Sequence, residues 1–270
     1  MVKKKVIKQS KAKLAFRKGQ SSQIYPLNTL IDLRKNLSIG EYKDCINQFC
    51  IFGKIDATNL FRLGQAKPEN LVCQYINLDP LPLKNELHWA VHWLSEQTEA
   101  INIYVATRSS IQNLILEDQF EQAIDTLDSF TEDYGWSLWS IEIRCVLEQT
   151  VNGMIGLTEW LTPLKIAAGN RLNGLIYEII NDRCDENFSF YAFYAKCRNS
   201  FPRLKNLGPW VIPYLEYHAL AQANHTEETL PIILSKEITS SLIDYSLYTT
   251  NFTEPLSYQD SAFLKLPKFP

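Results

Sequence analysis

The sequence predicts an all-α protein. Apolar residues recur at three- and four-residue spacing along most of the chain, and no stretch shows the sustained alternation of a half-buried strand. Glycines and prolines fall between the periodic segments, where they end helices. At 270 residues, with 46% apolar and 21% charged side chains, the chain can bury a substantial core without metal or disulfide staples.

The first 18 residues (MVKKKVIKQSKAKLAFRK) hold Lys3, Lys4, Lys5, Lys8, Lys11, Lys13, Arg17 and Lys18 and no acid. They contribute +8 to a chain of net charge −3, so the remainder sums to −11. Residues 1–20 therefore read as a basic, flexible arm suited to phosphates, an anionic membrane or an acidic protein. Val6, Ile7, Leu14 and Phe16 are too sparse for a membrane-inserting helix. Phe16 alone offers a ring for stacking on single strands.

Residues 25–205 read as an irregular, right-handed stack of antiparallel helical hairpins, an α-solenoid-like arrangement. Leu30, Ile31, Leu33 and Leu37 mark one helix. Beyond Gly40, Tyr42, Cys45, Ile46 and Phe49 mark a second, ended by Gly53. Asp56 or Thr58 caps a short helix through Leu60 and Leu63. The two prolines of NLDPLP (78–83) then break the chain. A helical stretch over 84–117 is jointed near Gln97–Thr98. Next, Phe120, Ala123, Ile124, Leu127 and Tyr134 form an apolar stripe opposite Glu121, Asp125, Asp128 and Glu132, with Gly135 just past the helix end.

The segment 136–150 is apolar on two sides. Trp136, Trp139, Ile143 and Val146 form one row, and Leu138, Ile141 and Cys145 form the other, which predicts neighbours on both. Gly153 separates it from a helix through Leu157, Trp160 and Leu164, where Pro163 threatens a kink. Leu172, Leu175, Ile176, Ile179 and Ile180 give a full helical series. An aromatic helix with Phe188, Tyr191, Phe193 and Tyr194 ends before Pro202. Residues 206–270, punctuated by Pro209, Pro213, Pro231 and Pro255, read as a smaller unit with helices over 211–222 and 232–244 and an extended end.

Two segments are alike: NLSIGEYKDCINQF (36–49) and LILEDQFEQAIDTL (114–127). Setting Tyr42 on Phe120 places Cys45 on Ala123, Ile46 on Ile124 and Phe49 on Leu127. Each is a helix end, a tight turn, an aromatic and a small residue three positions on, which lets two helices lie close. This pattern resembles the tetratricopeptide-type helical repeats, over residues 28–165. A poorer third copy starts at Gly153, with Gly156 at the small position. The 34-residue period and the Trp-x-x-Leu-Gly start are missing. The resemblance implies a protein-binding or scaffolding role with no catalytic residues to carry over.

Candidate chemistry is sparse. His88, His92 and Glu96 fall at successive i+4 steps, a spacing that presents two imidazoles and a carboxylate on one helical face. The glutamate of an H-E-x-x-H site is absent. The six cysteines form no C-x-x-C pair and read as reduced, buried thiols. The acidic row Glu117, Asp118, Glu121, Asp125, Asp128, Glu132 and Asp133 reads as a solvated face or a docking face for a basic partner. Residues 134–160 hold three of the six Trp, which suits either a core or an aromatic peptide groove. No phosphate-cradling glycine loop or nucleophile elbow is present, and no apolar run reaches the ~20 residues of a membrane span.

These features predict a cytoplasmic, non-enzymatic adaptor or scaffold subunit with protein partners and no cofactor. The alternatives are nucleic-acid docking through the basic arm and a metal-dependent enzyme using His88, His92 and Glu96. A homo-oligomer is compatible with all three.

Overall fold

A computed structural model describes residues 10–21, 26–53, 67–68, 79–95, 97–169, 172–185, 187–202 and 231–232. Among them no residue lies in a strand, as the rhythm of apolar side chains predicts. The helices are α1 (Lys11–Ser21), α2 (Pro26–Asn36), α3 (Tyr42–Gly53), α4 (Leu83–Ser95), α5 (Thr98–Leu116), α6 (Phe120–Tyr134), α7 (Leu138–Ala168), α8 (Leu172–Arg183) and α9 (Phe190–Ser200), with a 3₁₀ turn at Ile39–Glu41.

Local chemistry places the helix ends. Before α3, the Glu41 carboxylate accepts from the Ser38 backbone N–H at 3.0 Å and from the Ser38 hydroxyl at 2.8 Å. The hydrogen bonds from Ser38, assisted by the Lys11 ammonium, hold the Glu41 pKa down at about 2. At the end of α5 the Gln119 N–H reaches the Leu114 carbonyl at 2.8 Å and the Asp118 N–H reaches that of Ile115 at 3.2 Å. With Asp118 at φ 58°, this is a Schellman stop with aspartate in the left-handed position usually given to glycine. Ser137 and Ser140 cap α7 reciprocally: each hydroxyl accepts the other's backbone N–H, at 3.0 and 2.7 Å. Gly135, at φ 77°, closes α6 as expected.

Helices pack chiefly on their neighbours in sequence. α1 lies on α2 and α3, α2 on α3, α3 on α4, α5 on α6, α6 on α7, α7 on α8 and α8 on α9. Three apolar clusters result. The first joins Phe16, Tyr42, Phe49, Trp89 and Trp93. The second joins Tyr104, Ala123, Leu127, Phe130, Trp139 and Leu147. The third joins Leu87, Ile141, Cys145, Leu157, Ile180 and Phe201. Thus α4 serves the first and third clusters, and α7 the second and third. The expectation of neighbours on both sides of 136–150 holds, with one correction. Leu147 enters the core, while Val146 is 43% exposed.

The residues of α7 before Gly153 already serve both clusters, and the helix is divided at Gly153, which sits at φ 66°, ψ −168°. That conformation is strained for any residue with a Cβ. A Cβ at Gly156 would collide with the Asn152 side chain, so the small residue expected there is required.

One buried ion pair crosses the first cluster. Arg34 of α2, 2% exposed, pairs with Glu86 of α4, 1% exposed. Arg34 also donates to the Asp79 carbonyl at 2.8 Å, and its guanidinium lies 5.3 Å from the Trp89 ring centre. The second oxygen of Glu86 accepts the Leu81 N–H at 2.6 Å. The break expected at 78–83 is therefore tied to both helices.

The second half of the basic segment differs from a free arm: Lys11–Ser21 is helical, with Ala12 and Phe16 each 2% exposed. Their i, i+4 spacing gives a narrow apolar stripe, and Phe49 and Phe52 of α3 complete it, with ring centres 6.2 and 5.9 Å from Phe16. The aromatic helix turns only Phe193 and Cys197 fully inward. Phe190 (46% exposed) and Tyr191 (89%) face solvent. Residues 1–9, the short helix expected near Leu60 and all of 206–270 except Pro231 and Ile232 lie outside the described residues.

Glu86→Ala strands the Arg34 charge in the core, and stability is expected to fall by about 3–5 kcal/mol. Replacing the pair together (Arg34→Met with Glu86→Leu) should recover most of that loss, as read by urea unfolding. A second expectation concerns Gln97, 2% exposed at the α4–α5 joint, whose two amide atoms find no hydrogen-bond partner among the described residues. Gln97→Met should raise stability by about 1 kcal/mol, seen as a higher urea midpoint at unchanged slope.

Candidate functional site

His88 and His92 lie one turn apart on α4, 6% and 9% exposed, within a run in which every residue from Glu86 to Leu94 is buried. Glu96, the third member of the expected metal triad, lies outside the described residues. Among the described residues no group of three or more His, Cys, Asp or Glu is placed to hold a metal ion. Burial lowers the His92 pKa, and the nearby His88 and Lys43 lower it further. The flanking rings of Trp89 and Trp93 pack edge to face, 6.2 Å apart.

The thiols are equally removed from chemistry. Cys45, Cys145 and Cys197 are buried, Cys50 and Cys184 are half-buried, and no disulfide joins two of these five; Cys73 lies outside the described residues. Desolvation pushes the Cys45 thiol up to about 12 and Cys197 to about 11, and raises Cys145 and Cys184 as well. Only the thiolate is an effective nucleophile, so these groups are poor candidates for covalent catalysis.

The three tryptophans of 134–160 are packing elements. Trp139 meets Tyr104 edge to face at 5.0 Å, and Trp136 and Trp160 pack against each other at 5.8 Å. Beside them runs a polar network that the sequence reading missed. Arg144 of α7 donates to Asp128 of α6 at 2.5 Å and to Glu148 at 2.8 Å, and Glu148 accepts from Asn152 at 2.9 Å. The signal was the i, i+4, i+8 series Arg144, Glu148, Asn152. The tertiary partner Asp128 lay hidden in the acidic row.

The rest of that row faces outward. Glu117, Asp118, Glu121, Asp125, Glu132 and Asp133 are exposed, and among the described residues Asp128 is the one member of the row with an ion-pair partner. At the N-terminal end of α6, Asp118, Gln119, Phe120, Glu121 and Gln122 line a shallow depression with Val151 of α7, about 350 Å³ in volume. Of the basic candidates, Lys3, Lys4, Lys5 and Lys8 lie outside the described residues. Lys11 pairs with Glu41 at 3.0 Å. Arg17 and Lys18 are exposed on α1, and Lys13 is half-buried. No described helix is long and apolar enough to cross a membrane.

The lowered His92 pKa fixes the sign of one pH effect. The folded protein binds that proton less readily than the unfolded chain, so stability is complete above the unfolded value near 6.5 and falls as pH drops through it. Urea unfolding from about pH 7.5 to about pH 5.5 should show the decline. His92→Gln should flatten it, and an unchanged slope would assign the effect to other groups.

Compared with protein-family models, with curated proteins and with solved structures, the chain shows no match. The likeness to tetratricopeptide hairpins accordingly rests on the two turns at 36–49 and 114–127.

Proposed function

We propose that this chain is a non-enzymatic protein-interaction subunit, an adaptor or scaffold within a larger assembly, built from helical hairpins stacked side by side. The observation that carries the reading is a set of large apolar side chains held in water: Leu116 (82% exposed), Ile155 (75%) and Ile166 (76%). Single exposed apolar residues are ordinary. Ile155 and Ile166, however, are about three turns apart on the second half of α7 and fall on one side of it. Anchors repeated at whole turns are how a helix offers itself to a partner's groove. The two like hairpins add support, since their small residues Cys45 and Ala123 are both fully buried where helices meet.

A second reading, nucleic-acid docking through the basic segment, is favoured by α1. Ala12 and Phe16 anchor that helix to α3 and leave Arg17 and Lys18 outward. Cations fixed in this way can neutralise phosphates without ordering a loose arm.

Gentle affinity isolation of the full chain from native extract should recover a stoichiometric protein partner. The double variant Ile155→Asp with Ile166→Asp should lower its recovery by about tenfold or more, at an unchanged melting temperature. Isolation of the chain alone would overturn the adaptor reading. DNA and RNA affinities at two salt concentrations decide the second reading, which requires a steep salt dependence.

A further inference from the structure

The aromatic helix α9 leaves rings outside that neither reading above uses. Phe193 and Cys197 enter the third cluster, Tyr194 packs against its edge, and Lys196 pairs with Asp182 of α8 at 2.5 Å. These contacts fix the rotation of α9 about its axis. Phe190, Tyr191, Tyr194 and Arg198 then fall within about 100° of its circumference. The Phe190 and Tyr194 rings stack with planes inclined by 30° and centres 6.2 Å apart. The Arg198 guanidinium lies 5.5 Å from the Tyr194 ring centre. Phe190, Tyr194 and Arg198 thus form a column of flat groups about 12 Å long, with Tyr191 beside it at 89% exposure.

Charge separates this face from an ordinary exposed apolar patch. Residues 187–215 hold Lys196, Arg198, Arg203 and Lys205 and no Asp or Glu. The acids described just before α9 are engaged: Asp182 by Lys196, and Asp185 by the Asn187 N–H at 2.8 Å. Arg198 is exposed and has no ion-pair partner among the described residues. Glu186, Arg203 and Lys205 lie outside the described residues.

We infer that this face of α9 binds single-stranded nucleic acid. Bases stack on Tyr191, Tyr194 and Phe190, and the phosphates are drawn to Arg198 and to the cations that follow α9 in the chain. A base offers a flat face that a ring can cover, and its backbone carries negative charge, so rings and a cation in one strip match both. Duplex bases cover one another and are out of reach of an exposed ring, which selects an unpaired strand. An apolar protein partner would bury the same rings but would have to desolvate the guanidinium without compensation. The inference goes beyond both readings above, since it needs neither the isoleucines of α7 nor residues 1–18.

Fluorescence anisotropy of labelled oligothymidylate and oligouridylate, each of about 15 nucleotides, titrated with the full chain, tests this. At least one of the two should bind about tenfold more tightly than a duplex of equal length. The ratio between them reports whether the 2′-hydroxyl is read. Affinity should fall as salt rises from about 0.05 M to about 0.2 M. Tyr191→Ala should weaken binding by about tenfold at an unchanged melting temperature, because this side chain lies in water. Tyr191→Phe should retain binding, whereas Tyr191→Leu should lose it, since leucine keeps apolar area but has no ring face. Arg198→Gln should weaken binding and reduce its salt dependence. No binding to either strand at the lower salt, a preference for duplex, or full affinity in Tyr191→Leu would each overturn the inference. Binding that survives the Tyr191 and Arg198 changes but vanishes in Lys4→Glu with Lys5→Glu and Lys8→Glu would also overturn it, and would assign nucleic acid to the basic segment instead.

Discussion

The contact between Arg34 and Glu86 constrains everything around it. Both charges are essentially out of water, where an ion retains its charge only if partners replace the lost solvent. Those partners are directional and come from three places: α2, α4 and the stretch at Asp79–Leu81 that leads into α4. Trp89 completes the arrangement, with the guanidinium over its ring and Tyr42 edge-on to it at 5.2 Å. Apolar packing alone tolerates some sliding and rotation, whereas these directional contacts, made by both terminal guanidinium nitrogens of Arg34, favour one orientation of α4 against α2.

The orientation of α4 propagates because α4 belongs to two cores. Trp89 and Trp93 fill the first cluster, and Leu87, on another side of the same helix, enters the third beside α7. α7 repeats the device, giving Trp139 and Leu147 to the second cluster and Ile141, Cys145 and Leu157 to the third. A helix shared between clusters must be apolar on more than one side, and its polar side chains are buried with it. His88 and His92 are the consequence on α4, and the Arg144–Glu148–Asn152 series is the consequence on α7. Both lie inside the helix packing.

What the cores leave outside is unevenly distributed. The outer side of α6 is acidic, the second half of α7 shows isoleucines, and α1 is cationic beside a cationic terminal segment. Charge separated over one surface governs which partners approach and how strongly salt weakens them. Burial, meanwhile, raises the thiol pKa values and lowers that of His92, which keeps the thiols protonated and the imidazole uncharged. These surfaces are where the proposed interaction is best sought.

Much of the local structure was legible in the residues. The joint at Gln97–Thr98, the stop at Gly135, the break at Gly153 and the inward set Tyr42, Cys45, Ile46 and Phe49 follow from spacing and backbone preference, which act over a few residues. The helical state of Lys11–Ser21 was not legible, because Ala12 and Phe16 become a core stripe only when Phe49 and Phe52 arrive from α3. Nor was the role of Arg34, although its place four residues after Leu30 put it on the apolar side. An arginine there can be buried only if a carboxylate meets it, and Glu86 is distant in the chain. Outside α1, the sequence by itself determined the helical state and most of the helix limits, since hydrophobic rhythm and capping are local. Only the tertiary structure decided which charges are buried, which cation pairs with which acid, and which faces stay open, because these depend on partners that folding alone brings together.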